Sequence, residues 1–185
     1  MIEKLATNYV RKLKENELIS EKQEEIVKFG ICEVIYFLLE ISVLLGIAVF
    51  TKQFLGGILI LAAFMPVRVY AGGFHEQTRL KCIVRTSMLY LALLYCLKYS
   101  IIAEYVRIII IIITSVILWK FAPIQSDNNK LDEKQVIIYR RRAIIFWIIE
   151  CVLVVVGFAC REYCIVDPIS LGMCMTFYVL LFAVI

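Results

Sequence analysis

After a polar first thirty residues, the chain consists of long apolar stretches separated by short polar breaks. Crossing a bilayer takes about 20 apolar residues in helical form, and six stretches qualify, near residues 31–50, 54–71, 83–103, 106–122, 143–160 and 165–185. The second is the weak point. Its uninterrupted apolar run covers only 54–67 and includes Gly56, Gly57 and Pro66, so a re-entrant or kinked helix is the alternative there. The polar start has a pattern of its own: Ile2, Leu5, Ala6, Tyr9, Val10 and Leu13 fall on one helical stripe, opposite Lys4, Arg11, Lys12 and Glu15. Such a helix lies in the membrane interface or packs on another amphipathic helix. Ser20 and Gln23 stand at capping-box spacing, which starts a second helix that runs into the first span and leaves residues 16–19 as a hinge. The fold class expected is all-α: a polytopic membrane protein of about six transmembrane helices with an N-terminal amphipathic helix. Residues 1–30 form the amphipathic segment and 31–185 a single six-helix membrane domain.

Composition agrees. Hydrophobic residues make up 62% of the chain and mean hydropathy is +0.87, against roughly 45 to 50% apolar usage in soluble domains. Charges of both signs near the start do not match a cleavable signal peptide, so insertion is expected to use the first span. Cytoplasmic segments carry the excess of lysine and arginine, and here the alternation is clean. Lys52, Lys98, Arg107 and Arg161 fall at one set of ends, while all other Lys and Arg fall at the opposite set. Both termini are therefore expected in the cytoplasm, together with the break at 68–82 and a basic loop at 120–142. The bilayer is the first partner implied, and no nucleic-acid partner is expected.

Ionisable residues inside spans cost about 2.5 to 3.5 kcal/mol each and are normally paired or turned inward. Glu33 and Glu40 share one face of the first span and Glu150 lies in the fifth, with Arg68 and Arg85 as natural partners. Pro123 and Pro168 are expected at helix ends. The seven cysteines do not suggest a disulfide framework for a cytoplasm-facing site. With one histidine and neither a C-x-x-C pair nor an H-E-x-x-H helix, no metal or other cofactor is expected.

That histidine, His75, carries the candidate chemistry. It follows Gly72-Gly73 and precedes Cys82 by seven residues, in the polar break between two spans. A thiol with a nearby imidazole makes a nucleophile and its general base. An unbroken helix would hold the two about 10.5 Å apart along its axis, so the pairing requires a bend. Gly72 and Gly73 can adopt backbone angles closed to other residues, and Thr78 can cap a new helix. Cys82 then falls in that helix's first turns near Arg79, Lys81 and Arg85, a setting that favours thiolate. The chemistry that fits is acyl transfer through a thioester. The rival reading is a non-enzymatic peptide exporter or partner protein, with Glu33, Glu40 and Arg68 lining a path; no inverted repeat supports it.

The segment Arg68-Val69-Tyr70-Ala71-Gly72-Gly73-Phe74-His75, then Cys82, together with Phe121-Ala122-Pro123-Ile124 and Asn128-Asn129-Lys130, resembles the accessory gene regulator protein B (AgrB) family. In outline the likeness covers the whole chain, while only the 68–82 block is specific. It implies a membrane cysteine endopeptidase of the bacterial cell membrane with His75 and Cys82 catalytic and Arg68, Gly72 and Gly73 supporting. The substrate implied is the AgrD-like precursor of a cyclic quorum-sensing peptide, with an amphipathic N-terminus and an acidic C-terminal tail. The product would be a thiolactone or lactone, and the likeness also implies a homodimer. Lys130, Lys134, Arg140, Arg141 and Arg142 are candidate contacts for the acidic tail, with Glu33 and Glu40 as further substrate contacts. Topology alone also explains these cations. Two positions depart from the family pattern: Glu76, where a small residue usually follows the histidine, and Leu131, where proline is frequent.

Overall fold

The computed structural model describes residues 2–16, 18–73, 78–101, 103–124 and 132–184. Its described residues form seven helices and no strands: α1 (Ile2–Glu15), α2 (Glu21–Phe50), α3 (Phe54–Ala71), α4 (Arg79–Tyr99), α5 (Glu104–Phe121), α6 (Glu133–Ala159) and α7 (Tyr163–Val184). Five of them, α2, α3, α4, α6 and α7, are long and apolar enough to cross a membrane. The protein is an all-helical, polytopic membrane protein. α5 forms over the expected fourth span, with Glu104 and Arg107 in its first turn and Lys120 in its last.

The chain divides into two compact units, Met1–Leu44 and Leu45–Ile185. In the first, α1 forms on the predicted stripe: Ala6 and Val10 are fully buried and Leu13 half-buried, whereas Leu5 and Tyr9 stay exposed. The buried edge is narrower than the periodicity implied. Asn16 closes α1 by donating from its side-chain amide to the Lys12 carbonyl at 2.9 Å. Gln23 accepts from the Ser20 N–H at 3.1 Å, one half of a capping box, and Lys14 meets Glu24 at 3.2 Å across the turn. The predicted hinge and helix start are thus both present. Glu33 and Glu40 lie half-buried on α2.

The second unit is built around α7, where residues 168–176 are buried without a break. It packs on α3 most extensively, then on α5, α6 and α4. Small residues allow this, as is usual where lipid supplies no hydrophobic drive between helices. A Cβ at Gly172 would come within 2.6 Å of the Ile60 carbonyl oxygen and 2.7 Å of the Ala63 Cβ. The apolar core joins Ala63 and Val67 of α3, Leu118 of α5, Ala143 and Trp147 of α6, and Met173 and Leu180 of α7. Two buried threonine hydroxyls are satisfied within their own helices: Thr114 donates to the Ile110 carbonyl and Thr176 to that of Gly172. Trp147 donates to the Ser115 hydroxyl at 2.8 Å.

Three sequence expectations need correction. Pro168 does not end a helix; it sits in the second turn of α7, where its missing N–H leaves the Cys164 carbonyl out of the helical ladder. The basic loop expected at 120–142 is not all loop, since α6 begins at Glu133 behind an Asp132–Gln135 capping box. Lys134, Arg140, Arg141 and Arg142 are therefore helical: polar residues continue a helix as readily as apolar ones once the cap is set. Glu150, finally, is 6% exposed, and its Oε2 has no hydrogen-bond partner among the described residues, so the arginine partner expected for it is not found there.

Candidate active site

α3 ends where glycine takes over. Gly72 has φ +73° and ψ −148°, and its N–H donates to the Arg68 carbonyl at 3.2 Å. The segment leaving α5 then comes alongside: the Ile124 N–H donates to the Ala71 carbonyl at 2.8 Å, and Gly72 pairs with Ile124 in an isolated parallel bridge. A Cβ on Gly72 would lie 2.1 Å from the Ile124 carbonyl oxygen. Only hydrogen fits. Two separate sequence segments, 68–73 and 121–124, meet at this point.

Gly73 follows with φ +134°. A Cβ there would stand 2.6 Å from Arg68 Nη1 and 2.7 Å from Val179 Cγ1 of α7. The Arg68 guanidinium therefore lies against the Gly73 backbone, one turn back along the same helix, with Nη1 buried. His75 and Glu76 lie outside the described residues, as do Lys130 and Leu131.

The chain is described again at Thr78, whose hydroxyl accepts from the Lys81 N–H at 3.4 Å and caps α4. Cys82 falls in the first turn of α4, its N–H donating to the Thr78 carbonyl at 3.2 Å. Its thiol is free and half-exposed. Arg79 and Lys81, its neighbours in the first turn of α4, are exposed, and a helix start carries partial positive charge.

Arg85, one turn beyond Cys82 on the same face, is held by α7. Its Nε donates to the Tyr178 hydroxyl at 3.2 Å, and its guanidinium lies 4.9 Å from the Phe182 ring centroid and 5.6 Å from that of Tyr178. One stretch of α7 thus touches both sides of the break: Tyr178 and Phe182 hold the cysteine helix and Val179 meets Gly73. Sequence reasoning missed these α7 residues. Their signal was faint, an aromatic pair four apart in an otherwise apolar helix.

The arginine triplet diverges, because successive helical residues point about 100° apart. Arg142 lies over the Tyr70 ring at 5.4 Å, beside the end of α3, where Tyr70 also stacks on Phe146 and meets Tyr139 edge-on. Arg140 turns to α5 and donates to the Trp119 carbonyl. Arg141 and Lys134 are exposed. At the far end of α5, Arg107 pairs with Asp167 of α7 and donates to Ser170 at 3.0 Å, a half-buried link that the sequence did not suggest.

The family model of accessory gene regulator B matches residues 6–184. The chain belongs to that family. Neither a curated protein nor a solved structure matches it. Membership in the accessory gene regulator B family supports a part in agr quorum-sensing peptide processing. The glycine turn, the Arg68 contact and the capped cysteine helix therefore belong to a peptide-processing membrane protein.

Proposed function

We propose that this protein is a membrane cysteine endopeptidase that cleaves an AgrD-like precursor and closes its N-terminal part into a ring. Cys82 is the nucleophile and His75 the general base, with the site facing the cytoplasm and both termini on that side of six crossings. The Cys82 thiolate attacks a backbone carbonyl of the precursor. The carbon–nitrogen bond breaks, the proton held by His75 passes to the leaving amine, and a thioester to Cys82 remains while the acidic tail departs. A thiol or hydroxyl of the precursor then attacks that thioester, forming the thiolactone or lactone and returning Cys82. Exchange of one thioester for another is nearly neutral, and a site at the membrane boundary keeps water from intervening.

The observation that carries this reading is the shared α7 stretch. Val179 against Gly73 and Tyr178 with Phe182 on Arg85 draw the glycine turn and the cysteine helix to one wall. Arg68, Gly72 and Gly73 set the turn before His75. Arg142, beside Tyr70, is the best placed of the cations to meet the acidic tail; Lys130, Lys134, Arg141, Glu33 and Glu40 remain candidate substrate contacts, and a homodimer is the assembly proposed.

Co-expression with an acidic-tailed precursor and intact-mass spectrometry tests the scheme. Cleavage is expected with a hydroxylamine-sensitive mass increment on Cys82, and none with Cys82→Ala or His75→Ala. Continued processing by Cys82→Ala would leave a non-enzymatic role as the better account.

A further inference from the structure

A groove between α5 and α6 is lined by none of the residues that form the glycine turn. Ser115, Val116, Trp119 and Lys120 of α5 line it with Arg140 of α6, around a volume of about 670 Å³. The α5 residues occupy one helical face, and the walls are mainly apolar and open outward: Val116 is 62% and Trp119 67% exposed. Lys120, in the last turn of α5, and Arg140 place two cations at one end. No acidic side chain is among the lining residues.

Arg140 gives one N–H to the Trp119 carbonyl, which anchors its guanidinium at the groove's mouth. A guanidinium has five N–H donors in a planar fork suited to phosphate, so one anchoring bond leaves the fork usable. Tryptophan at the end of an apolar helical face sits at headgroup depth in membrane proteins. These features together describe an apolar trough open to the bilayer, closed at the interfacial end by two positive charges.

We propose that this groove binds an anionic phospholipid, its phosphate on Lys120 and Arg140 and its acyl chain along Val116 and Trp119. A zwitterionic headgroup brings its own ammonium against the same two cations. An acidic peptide supplies the charge but no chain for the trough. The site separates Arg140 from Arg142: the first engages lipid, the second remains beside the active turn. It stands whether or not Cys82 is a nucleophile.

The two tryptophans make the test direct, because Trp147 is 5% exposed while Trp119 faces the groove. The full-length protein is reconstituted in phosphatidylcholine vesicles into which brominated phosphatidylglycerol or brominated phosphatidylcholine is titrated, and tryptophan quenching is followed. Each cation near an anionic lipid is worth about a factor of five, so half-maximal quenching is expected at a roughly ten- to thirty-fold lower fraction of the anionic lipid. Trp119→Phe should remove the selective component. Lys120→Gln with Arg140→Gln should bring the two lipids level at unchanged helix content, and Lys120→Gln alone, at an exposed position, should give an intermediate preference if the pair fails to fold. Equal quenching by both lipids in the wild-type protein overturns the proposal. So does a preference that survives the double variant, or relief of quenching by an acidic peptide but not by unbrominated phosphatidylglycerol.

Discussion

Gly72→Ala removes the one geometry that lets the α5 exit lie against the end of α3. The wild-type residue has φ +73° and ψ −148°, a region nearly confined to glycine that costs other residues about 1 to 3 kcal/mol. The new methyl would also stand 2.1 Å from the Ile124 carbonyl oxygen, 3.1 Å from its carbon and 3.3 Å from its nitrogen. These are backbone atoms, so no side-chain rotation relieves the clash. The bridge must part, and with it goes the Ile124 to Ala71 hydrogen bond, worth about 0.5 to 1.5 kcal/mol. Together the local penalty is about 2 to 4 kcal/mol, a factor of roughly 30 to 1,000 in the population of the intact turn. Precursor cleavage in proteoliposomes should fall by that order if the turn positions His75, while the bundle core, centred on α7, keeps its helix content. Gly46→Ala is the control, since a Cβ there meets nothing within 4 Å and a helical alanine is favoured by about 0.5 to 1 kcal/mol. Wild-type cleavage by Gly72→Ala would refute the claim that this turn sets the site.

Tyr178→Phe deletes only the hydroxyl that accepts from Arg85; cleavage should drop by up to about tenfold, and Arg85→Lys, which keeps charge but not the Nε donor, should match it. An unchanged rate in both would remove α7 from the site. Arg107→Ala or Asp167→Ala strands a charge whose side chain is 11% or 25% exposed, so each should lower stability in detergent by about 3 kcal/mol, with the double variant losing less than the two combined; additive losses would argue against the pair. Arg142→Glu, beside Tyr70, should weaken precursor cleavage in a salt-dependent way, whereas Arg140→Glu should do so far less. Equal effects would put both cations in the same role.

Helix starts and stops were legible because they are local. Ser20 with Gln23, Thr78 before Cys82, and Gly72-Gly73 after Ala71 act within a turn of their own position, so short-range spacing reports them. Pro168 misled because a single missing N–H is tolerated when the surrounding helix is packed on every side. The charged opening of α6, residues 133–142, was read as loop for a related reason: hydropathy marks where a helix enters lipid, not where it begins.

The sequence by itself determined an all-helical membrane chain, its amphipathic beginning and a His–Cys break next to a glycine pair, since each depends on periodicity or on backbone freedom at one position. Only the tertiary structure decided that α7 is the central helix, that Ile124 lies on Gly72, that Arg85 is held by Tyr178 and Phe182, and that Arg140 and Arg142 face different neighbours. Lipid is as apolar as a protein core, so buried and lipid-facing sides of these helices look alike in the sequence. Close approach of backbones and the direction of single polar side chains then settle the packing, and both become visible only once distant segments are brought together.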